Sequence, residues 1–589
     1  MWYTDGVPLF KSSKVGLWPL FLSINELPYH DRLKPENLLF AGLWYGKSKP
    51  SMSVYLEPFY ESLKKLREEG ISVNCEHCAK SFVVKGILLC GTCDLPAKCL
   101  MMNMAQFNGR FGCPKCKQEG VVVKTGKGHT RTFPFQENSI DGPKRSHEEF
   151  IEHGENAFTS SSSVFGVKGP SWWVNISADI INGTAIDYMH TVLLGIVRRL
   201  LKLWFDPKFS SEPYSASRFV DIADKRLACI RPPYFIKRHP RSIKDHSQYW
   251  KASECRSWLF YYSVPVLFGV LQKEYFEHYL LFVDAMFIMN LDSISPEDLL
   301  HCEELLIKFS CLFSSLYGVS HMSANLHQML HLHDVVRQLG PLWVYSCFSF
   351  ESMNGKLLKL FHGTQSPAIQ IANAVSTLIK LPILEQNIDT DTHSQSAVSQ
   401  LYCKLSSASD RHKITETICD GVHVIGAKHL QTIEPKYYAV VAQTLKTAPT
   451  KCLVFYRLMI KGVLFHCRAH KIASRNSYTV LFKLGGHLQT FGQVVFYTKC
   501  CFTCACKDGC NKCTHYLAVV QTISVERNIL CTADAIVTPK LDNIVVGVFN
   551  NEYVAIPVTD ILELCTFVDL NRKDKRVFMC LRPNKKEID

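Results

Sequence analysis

Three acids stand where a folded chain could gather them. Asp5 follows a very short start, Asp94 ends the apolar run LLCGTC, and Glu351 lies in the amphipathic stretch FSFESMNGKLLKLF. Two carboxylates on neighbouring central strands, with a third on a helix packed over them, can hold two Mg²⁺ ions, because hard cations take oxygen ligands. Two such ions about 4 Å apart activate a water or a 3′-OH and stabilise the leaving oxygen in phosphoryl transfer. The chain has 53 acids, and the same residue types also serve as helix caps and surface ion pairs, so residue type alone does not choose between these readings.

The thiols and imidazoles form a second set. Cys113-Pro-Lys-Cys116 is a zinc half-site by its spacing, and His327 and His331, at i and i+4, would share one helical face. Together they could close a Cys₂His₂ site, with His333 and His129 as substitutes. Cys75-x2-Cys78 and Cys90-x2-Cys93 read as structural thiols rather than a Cys₄ site. Cys501, Cys504, Cys510 and Cys513 form a candidate second zinc set, with Cys500, Cys506 and His515 close by. Twenty-five cysteines in a chain whose first residues do not read as a secretion signal favour thiols and zinc over disulfides.

The elements that must position these groups follow from periodicity. Val15–Leu27 and Leu38–Tyr45 read as strands, punctuated by Gly6, Pro8, Pro28 and Pro35. Ser51–Glu69 reads as a helix, with Leu56, Phe59, Leu63 and Leu66 on one face and Gly70 as its stop. Ile71–Asn74 and Phe82–Cys90 are expected to be strands. That order is strand, strand, strand, helix, strand, with acids at the first and fourth. Residues 118–170 look irregular. A helix is expected over Asp187–Phe205, with Asp187 or Thr184 as its cap. Residues 250–315 have the pattern of a helical bundle, and His327–Leu339 that of a helix closed by Gly340-Pro341. The polar stretch 388–412 reads as a linker. Short strands follow, among them Ala439–Val441, Lys451–Phe455, Ser477–Lys483 and Gln493–Tyr497.

At 589 residues the chain exceeds one core. Its formal charge of +13 is compatible with a polyanionic partner such as DNA. No apolar run reaches the length of a membrane span, which argues against a membrane protein.

The blocks DGVPLFKSSKVGLWPL, LLCGTCDLPAKC with GCPKC, IDYMHTVLLGIV and GPLWVYSCFSFESMNGKLLKLF occur in that order over residues 1–380. They resemble the motif blocks of CACTA (En/Spm-type) DDE transposases in their animal branch. The resemblance implies an α/β fold: an RNase H-like core interrupted by a large, mostly α-helical insertion and followed by a small all-β C-terminal domain. The 257 residues separating Asp94 from Glu351 (351 − 94) are too many for an uninterrupted core of that kind. The implied parts are residues 1–117 with both Asp, 118–345 as the insertion, 346–405 returning the Glu, and 413–589.

It also implies Asp5, Asp94 and Glu351 as catalytic ligands of two Mg²⁺ ions. Asp187 and His190 fall on the family's Asp-x-x-His signature. They would support the acids or hold the DNA strand, although Asp187 could equally be only a helix cap. Arg198, Arg199, Lys202, Lys356 and Lys359 could meet phosphates, or be solvated faces. The CxxC and paired histidines resemble the structural zinc site of the related vertebrate antigen-receptor recombinase. The implied activity is Mg-dependent strand cleavage and strand transfer in the nucleus, on transposon ends and target DNA, by a homo-oligomer. The alternative is a catalytically inactive, domesticated remnant acting as a zinc-stabilised DNA- or chromatin-binding protein. The brevity of the stretch before Asp5 is the departure that favours the alternative, since this family carries more residues there.

Overall fold

The computed structural model describes the chain apart from residues 11–14, 76–77, 127, 364, 390–413, 471–473, 486, 503–512, 527–529, 531–536, 571–574 and 588–589, and apart from the side chains of 382–389. It is a mixed α/β chain with several sheets and a β-rich C-terminal region. Two compact units are present. One comprises Met1–Leu200, Asp284–Ser399 and Asn584–Asp589, and the other Leu201–Val283 and Gln400–Pro583.

The first unit begins with strands β1 (Trp2–Thr4), β2 (Val7–Pro8), β3 (Gly16–Leu22) and β4 (Leu39–Gly46). Helix α1 (Met52–Glu68), the hairpin of β5 (Ile71–Cys75) and β6 (Lys80–Val84), and the two-residue β7 (Gly91–Thr92) follow. Among the described residues, β3 pairs antiparallel with β4 on one side and with β1 and β2 on the other, and β1 pairs parallel with β7. The register of that last pair is Trp2 against Gly91 and Tyr3 against Thr92. Beyond β7 the chain adds one more parallel bridge, Gly91 to Thr184. Asp5-Gly6 interrupts the first strand between β1 and β2. A Cβ at Gly6 would lie 2.7 Å from the Trp18 ring, so the indole occupies the space a side chain would need.

Burial follows the residue pattern. α1 sets Met52, Tyr55, Leu56, Phe59, Tyr60 and Leu63 against the core, an i, i+3, i+4, i+7 stripe. Trp2 stacks on Trp173 at 5.6 Å, and Tyr55 donates to the Trp18 carbonyl at 2.7 Å.

The structure revises several expectations. The strand expected over Phe82–Cys90 is divided. Lys80–Val84 pairs with Ile71–Cys75 in an exposed hairpin, and Gly91–Thr92 joins the central sheet. Residues 118–170 hold a hairpin of β8 (Val121–Thr125) and β9 (Gly128–Thr132), and helix α2 (His147–Ser160), capped by Ser146. The helix after Asp187 runs as a π-helix (Met189–Val197) before becoming α3 (Arg198–Phe205). His327–Leu339 is two helices, α4 (Ala324–Met329) and α5 (Leu332–Leu339), broken at Leu330-His331. Phe348–Leu357 is helix α6.

The second unit contains helices between Val220 and Leu267, and a long sheet whose strands include Leu488–Cys501, Thr514–Glu526 and Ile544–Pro557. Ala439–Val441, expected as a strand, lies in the helix Pro435–Leu445, where Tyr437, Val440, Val441 and Leu445 pack at helical spacing against the sheet. The linker expected over 388–412 lies almost wholly outside the described residues, as do Cys504 and Cys510.

The β1–β7 contact generates a test. A Cβ on Gly91 would fall 1.9 Å from the Trp2 indole. Gly91→Ala is therefore expected to lower stability by about 3 kcal/mol, at the upper end of overpacking costs. Gly355→Ala, on α6 with nothing within 4 Å of its Cβ, is expected to raise it by about 0.5–1 kcal/mol. Denaturant unfolding of both variants checks the contrast.

Candidate metal centres

β1 and β7 run parallel and side by side, so the residues that follow them emerge at one edge of the sheet. Asp5 follows β1 directly, and Asp94 comes two residues after β7. Asp94 is also the N-cap of a short helix, Leu95–Met101, its Oδ1 accepting from Ala97 N at 2.7 Å. Asp5 Oδ1 accepts from Gly6 N at 2.6 Å.

Glu351 arrives in the first turn of α6. Tyr3, fully buried on β1, stacks on Phe350 at 4.5 Å with near-parallel rings. Its hydroxyl donates to Glu351 Oε1 at 3.1 Å and accepts from Asn354 Nδ2 at 3.1 Å. The helix is held again at its start, where Cys347 N donates to Asp187 Oδ1 at 3.0 Å and Cys347 Sγ lies 3.5 Å from Thr92 Oγ1.

Asp187 makes two contacts with His190. It caps the helix that follows, accepting from His190 N at 2.9 Å. It also contacts His190 Nδ1 at 2.7 Å, which leaves Nε2 at 4.0 Å from Glu351 Oε1. Asp5, His190 and Glu351 present ligand atoms within 4.8 Å of one another, as do Asp187, His190 and Cys347. Asp94 is not part of either group, but its charge acts on both Asp5 and His190.

The electrostatics record the crowding. Burial, then the charges of Asp94 and Glu351, push Asp5 up to about 7, against the Gly6 N–H and His190. Burial opposes the charged form of His190, but its bond to Asp187 outweighs this and raises it to about 9. Burial likewise opposes ionisation of Asp187, and the His190 and Cys347 contacts still hold its carboxyl below the usual range.

A second cluster lies in the same unit. Cys116 Sγ is 3.1 Å from His327 Nε2, Cys113 Sγ is 3.5 Å from His331 Nε2, and the two Nε2 atoms are 3.4 Å apart. All four side chains are buried. Backbone N–H groups of Lys115 and Gln118 point at the two sulfurs, and Arg145 Nε donates to the carbonyls of Cys113 and Cys116. Burial disfavours a thiolate at Cys113, but the Cys116 thiol and the two imidazoles favour it and prevail, while Cys116 is pushed up by its bond to that thiolate. The donors converge as ligands of one metal ion would. His129 is exposed on β9, and His333 faces Glu303 and Asp334 at 3.5 Å, so neither joins them.

Among the described residues, the other expected site residues join none of these groups. Cys501 ends its strand and Cys513 precedes the next; their partners Cys504 and Cys510 lie outside the described residues. Arg199 bonds His321, Lys356 and Lys359 are exposed on and just after α6, and Lys202 is exposed on α3.

Sequence reasoning missed Tyr3, Cys347 and Asn354, and two buried lysines. Lys98 Nζ donates to Ala185 O and Lys115 Nζ to Ile181 O, both at 2.5 Å. Those carbonyls flank Gly183, which accepts from Gly91 N. The only signal was position: Tyr3 sits two residues before Asp5, and Lys115 sits inside the CxxC.

Residues 2–138, 137 of the 589, match the model of a family described as "Transposase family tnp2". The matched stretch holds Asp5, Asp94, Cys113 and Cys116, and supports a transposase-like protein. No curated protein matches. Among the described residues, no helix is long and apolar enough to cross a membrane.

Two outcomes are expected. His327→Ala removes one of four buried donors, so bound metal per chain should fall to near zero on metal analysis, and unfolding should occur several degrees lower. Asp5 has a folded value above the ordinary carboxylate range. Its contribution to stability is thus present at low pH and lost as pH rises through about 7. A divalent ion needs the ionised form, so the melting-temperature gain from millimolar Mg²⁺ or Mn²⁺ should grow from about pH 6 to about pH 8. Asp5→Asn should abolish that growth.

Proposed function

We propose that this chain is a DDE-type transposase-like protein, of the CACTA (En/Spm) kind in its animal branch, that cleaves DNA and transfers strands in the nucleus. One observation carries the reading: two parallel neighbouring strands deliver Asp5 and Asp94 to one edge, where a distant helix pinned by Tyr3 adds Glu351. The match to a transposase family covers the part with both aspartates. The spatial order β4-β3-β1-β7, with β3 antiparallel to both neighbours and β1 parallel to β7, supports an RNase H-like core. On this reading residues 1–117 and 346–405 are two parts of that core, 118–345 is an insertion, and 413–589 is an appended β-rich domain.

Asp5, Asp94 and Glu351 would hold divalent ions. Mg²⁺ ions bound there would supply an activated water or 3′-OH and neutralise charge on the leaving oxygen. His190 is positively charged at neutral pH and is oriented by Asp187 through Nδ1. Beside Glu351 it can face a phosphate oxygen and favour the charge that builds there. Tyr3 and Asn354 fix the Glu351 carboxylate, and the neutral phenol adds a donor without adding charge. Lys356 and Lys359, on the surface near Glu351 in sequence, are suited to DNA phosphates.

The Cys113, Cys116, His327 and His331 set fits Zn²⁺. Tetrahedral ligands at zinc bond lengths of about 2.3 Å (S) and 2.0–2.1 Å (N) stand about 3.5–3.6 Å apart for S···N and about 3.3–3.4 Å for N···N. The separations here are 3.5, 3.1 and 3.4 Å. All four positions are filled by protein, which makes the ion structural.

The test is a strand-transfer assay with the element's own terminal sequences. Asp94 also caps a helix, so Asp94→Asn is the cleaner variant: it keeps an N-cap side chain and loses the charge. Cleavage should drop by about 10³ or more, with the unfolding midpoint nearly unchanged. Glu351→Gln should behave alike, and His190→Gln should lose about 10–100-fold. An Asp94→Asn protein that cleaves as well as the parent would sink the assignment.

A further inference from the structure

The second unit holds a pair of thiols outside both candidate zinc sets, Cys452 and Cys500. They lie on neighbouring antiparallel strands, Lys451–Phe455 and Leu488–Cys501, directly opposite one another in an uninterrupted register. Residues opposed in this way point to the same face of the sheet. Val454 and Thr498, opposed two residues along, share that face and are buried. Cys500 is buried with them, and Cys452, nearer the end of its strand, is half-buried.

The two sulfurs lie 3.8 Å apart, and Thr498 Oγ1 lies 3.8 Å from Cys500 Sγ. Directly opposed residues of an antiparallel pair have Cα atoms about 4.5–5.5 Å apart, inside the window of about 4.4–6.8 Å that a disulfide spans. The backbone is thus already placed for a bond, and the sulfurs need only close to about 2.05 Å by side-chain rotation. Cys113 and Cys116, by contrast, each face an imidazole nitrogen, and Cys501 belongs to the opposite face of its strand from Cys500. The two thiols are also unequal. A hydrogen bond from the Cys500 thiol holds Cys452 down to about 7, while that bond and then burial push Cys500 up. The half-buried member is the better nucleophile and the one a small oxidant reaches.

We propose that Cys452 and Cys500 form a redox modification site, at which a peroxide converts the pair to a disulfide across the two strands. Cys452 Sγ attacks one peroxide oxygen and the O–O bond breaks. The other oxygen leaves as hydroxide, which the proton released by Cys452 turns to water. Cys452 is then a sulfenic acid. Cys500 Sγ attacks Cys452 Sγ, the S–O bond breaks, and the hydroxide leaves as water with the Cys500 proton. The pair has lost two electrons and two protons, and one hydrogen peroxide has become two waters. A dithiol reductant reverses the change by exchange. The bridge joins residues 48 apart in sequence and ties Lys451–Phe455 covalently to its neighbour. Neither step uses the acids of the first unit, so the strand-transfer assay and the test below succeed or fail separately.

The full chain is treated with a few-fold excess of hydrogen peroxide, free thiols are alkylated, and the digested peptides are mapped by mass spectrometry. The expected product is a peptide linking Cys452 to Cys500, two hydrogens lighter than its separate parts, that disappears on treatment with dithiothreitol. Cys501→Ser should keep the link and Cys500→Ala should lose it. In Cys500→Ala, Cys452 should stop at the sulfenic acid and take up dimedone, a label the parent should not retain there. Because the linked peptide is read in the parent, the outcome counts even where a variant misfolds. A parent whose Cys452 is still alkylated after peroxide would overturn the proposal, as would a link from Cys452 to Cys501 or Cys513. So would the loss of one bound zinc per chain in Cys452→Ala, which would make this thiol a metal ligand.

Discussion

Like charges repel, and the first unit is arranged around a place where three half-buried carboxylates must coexist. The cost is visible at Asp5, whose carboxyl is pushed up to about 7 by burial and by Asp94 and Glu351. A chain free to relax would separate these groups. Each is instead fixed by a contact that does not involve the others' charge: Asp5 by the Gly6 N–H, Asp94 by capping a helix, and Glu351 by the buried phenol of Tyr3. His190 brings opposite charge, and it is in turn held by Asp187, one of the most buried acids among the described residues. Crowded acids of this kind are what a divalent ion relieves.

The backbone framework beneath them is slight. β7 has two residues and would not persist alone. It persists because it lies between β1 and the Gly183–Ala185 segment, and because Gly91 lets the Trp2 indole cross it. Two buried lysine side chains tie that outer segment down. Lys98 comes four residues after Asp94, and Lys115 lies between Cys113 and Cys116. Lys115 thereby links the thiolate knuckle to the chain that carries Asp187 and His190. A buried lysine is costly unless paired, and each of these donates to a backbone carbonyl, while burial still lowers Lys115 to about 7.

What could be read from the residues divides along the same line. Local features were legible. Helix α1 was marked by its apolar stripe and by Gly70, and the strands over 16–22 and 39–46 by apolar runs between turn residues. Cys113-x2-Cys116 and the paired histidines were legible as half-sites, since each is set by a few residues. Features made by tertiary pairing were not. Nothing in Gly91-Thr92 marks a strand, and of the apolar residues before it, which did suggest one, Phe82–Val84 lie in the exposed hairpin instead. The helix at Pro435–Leu445 was missed because three apolar residues fit both periods, and only its longer span shows helical spacing. Tyr3 could be identified as a ligand-holder only after Phe350 and Asn354 were placed beside it.

Chain topology shows what a metal ion held by Cys113, Cys116, His327 and His331 would contribute. Glu351 must return to Asp94 after 257 residues of intervening chain. Cys116 and His327 meet across a separation of 211 residues. Closing a loop of that length costs about 4.7 kcal/mol in chain entropy, taking (3/2)RT ln n without its constant. Structural zinc in small domains contributes about 10–16 kcal/mol to folding, about two to three times that cost. Only 20 residues separate His331 from Glu351, and only 19 separate Asp94 from Cys113 (351 − 331; 113 − 94). With an ion closing those four groups, the acids would differ from their final places by two short tethers rather than by one long loop. The search left to α6 is local, and the stack of Phe350 on Tyr3 is enough to end it.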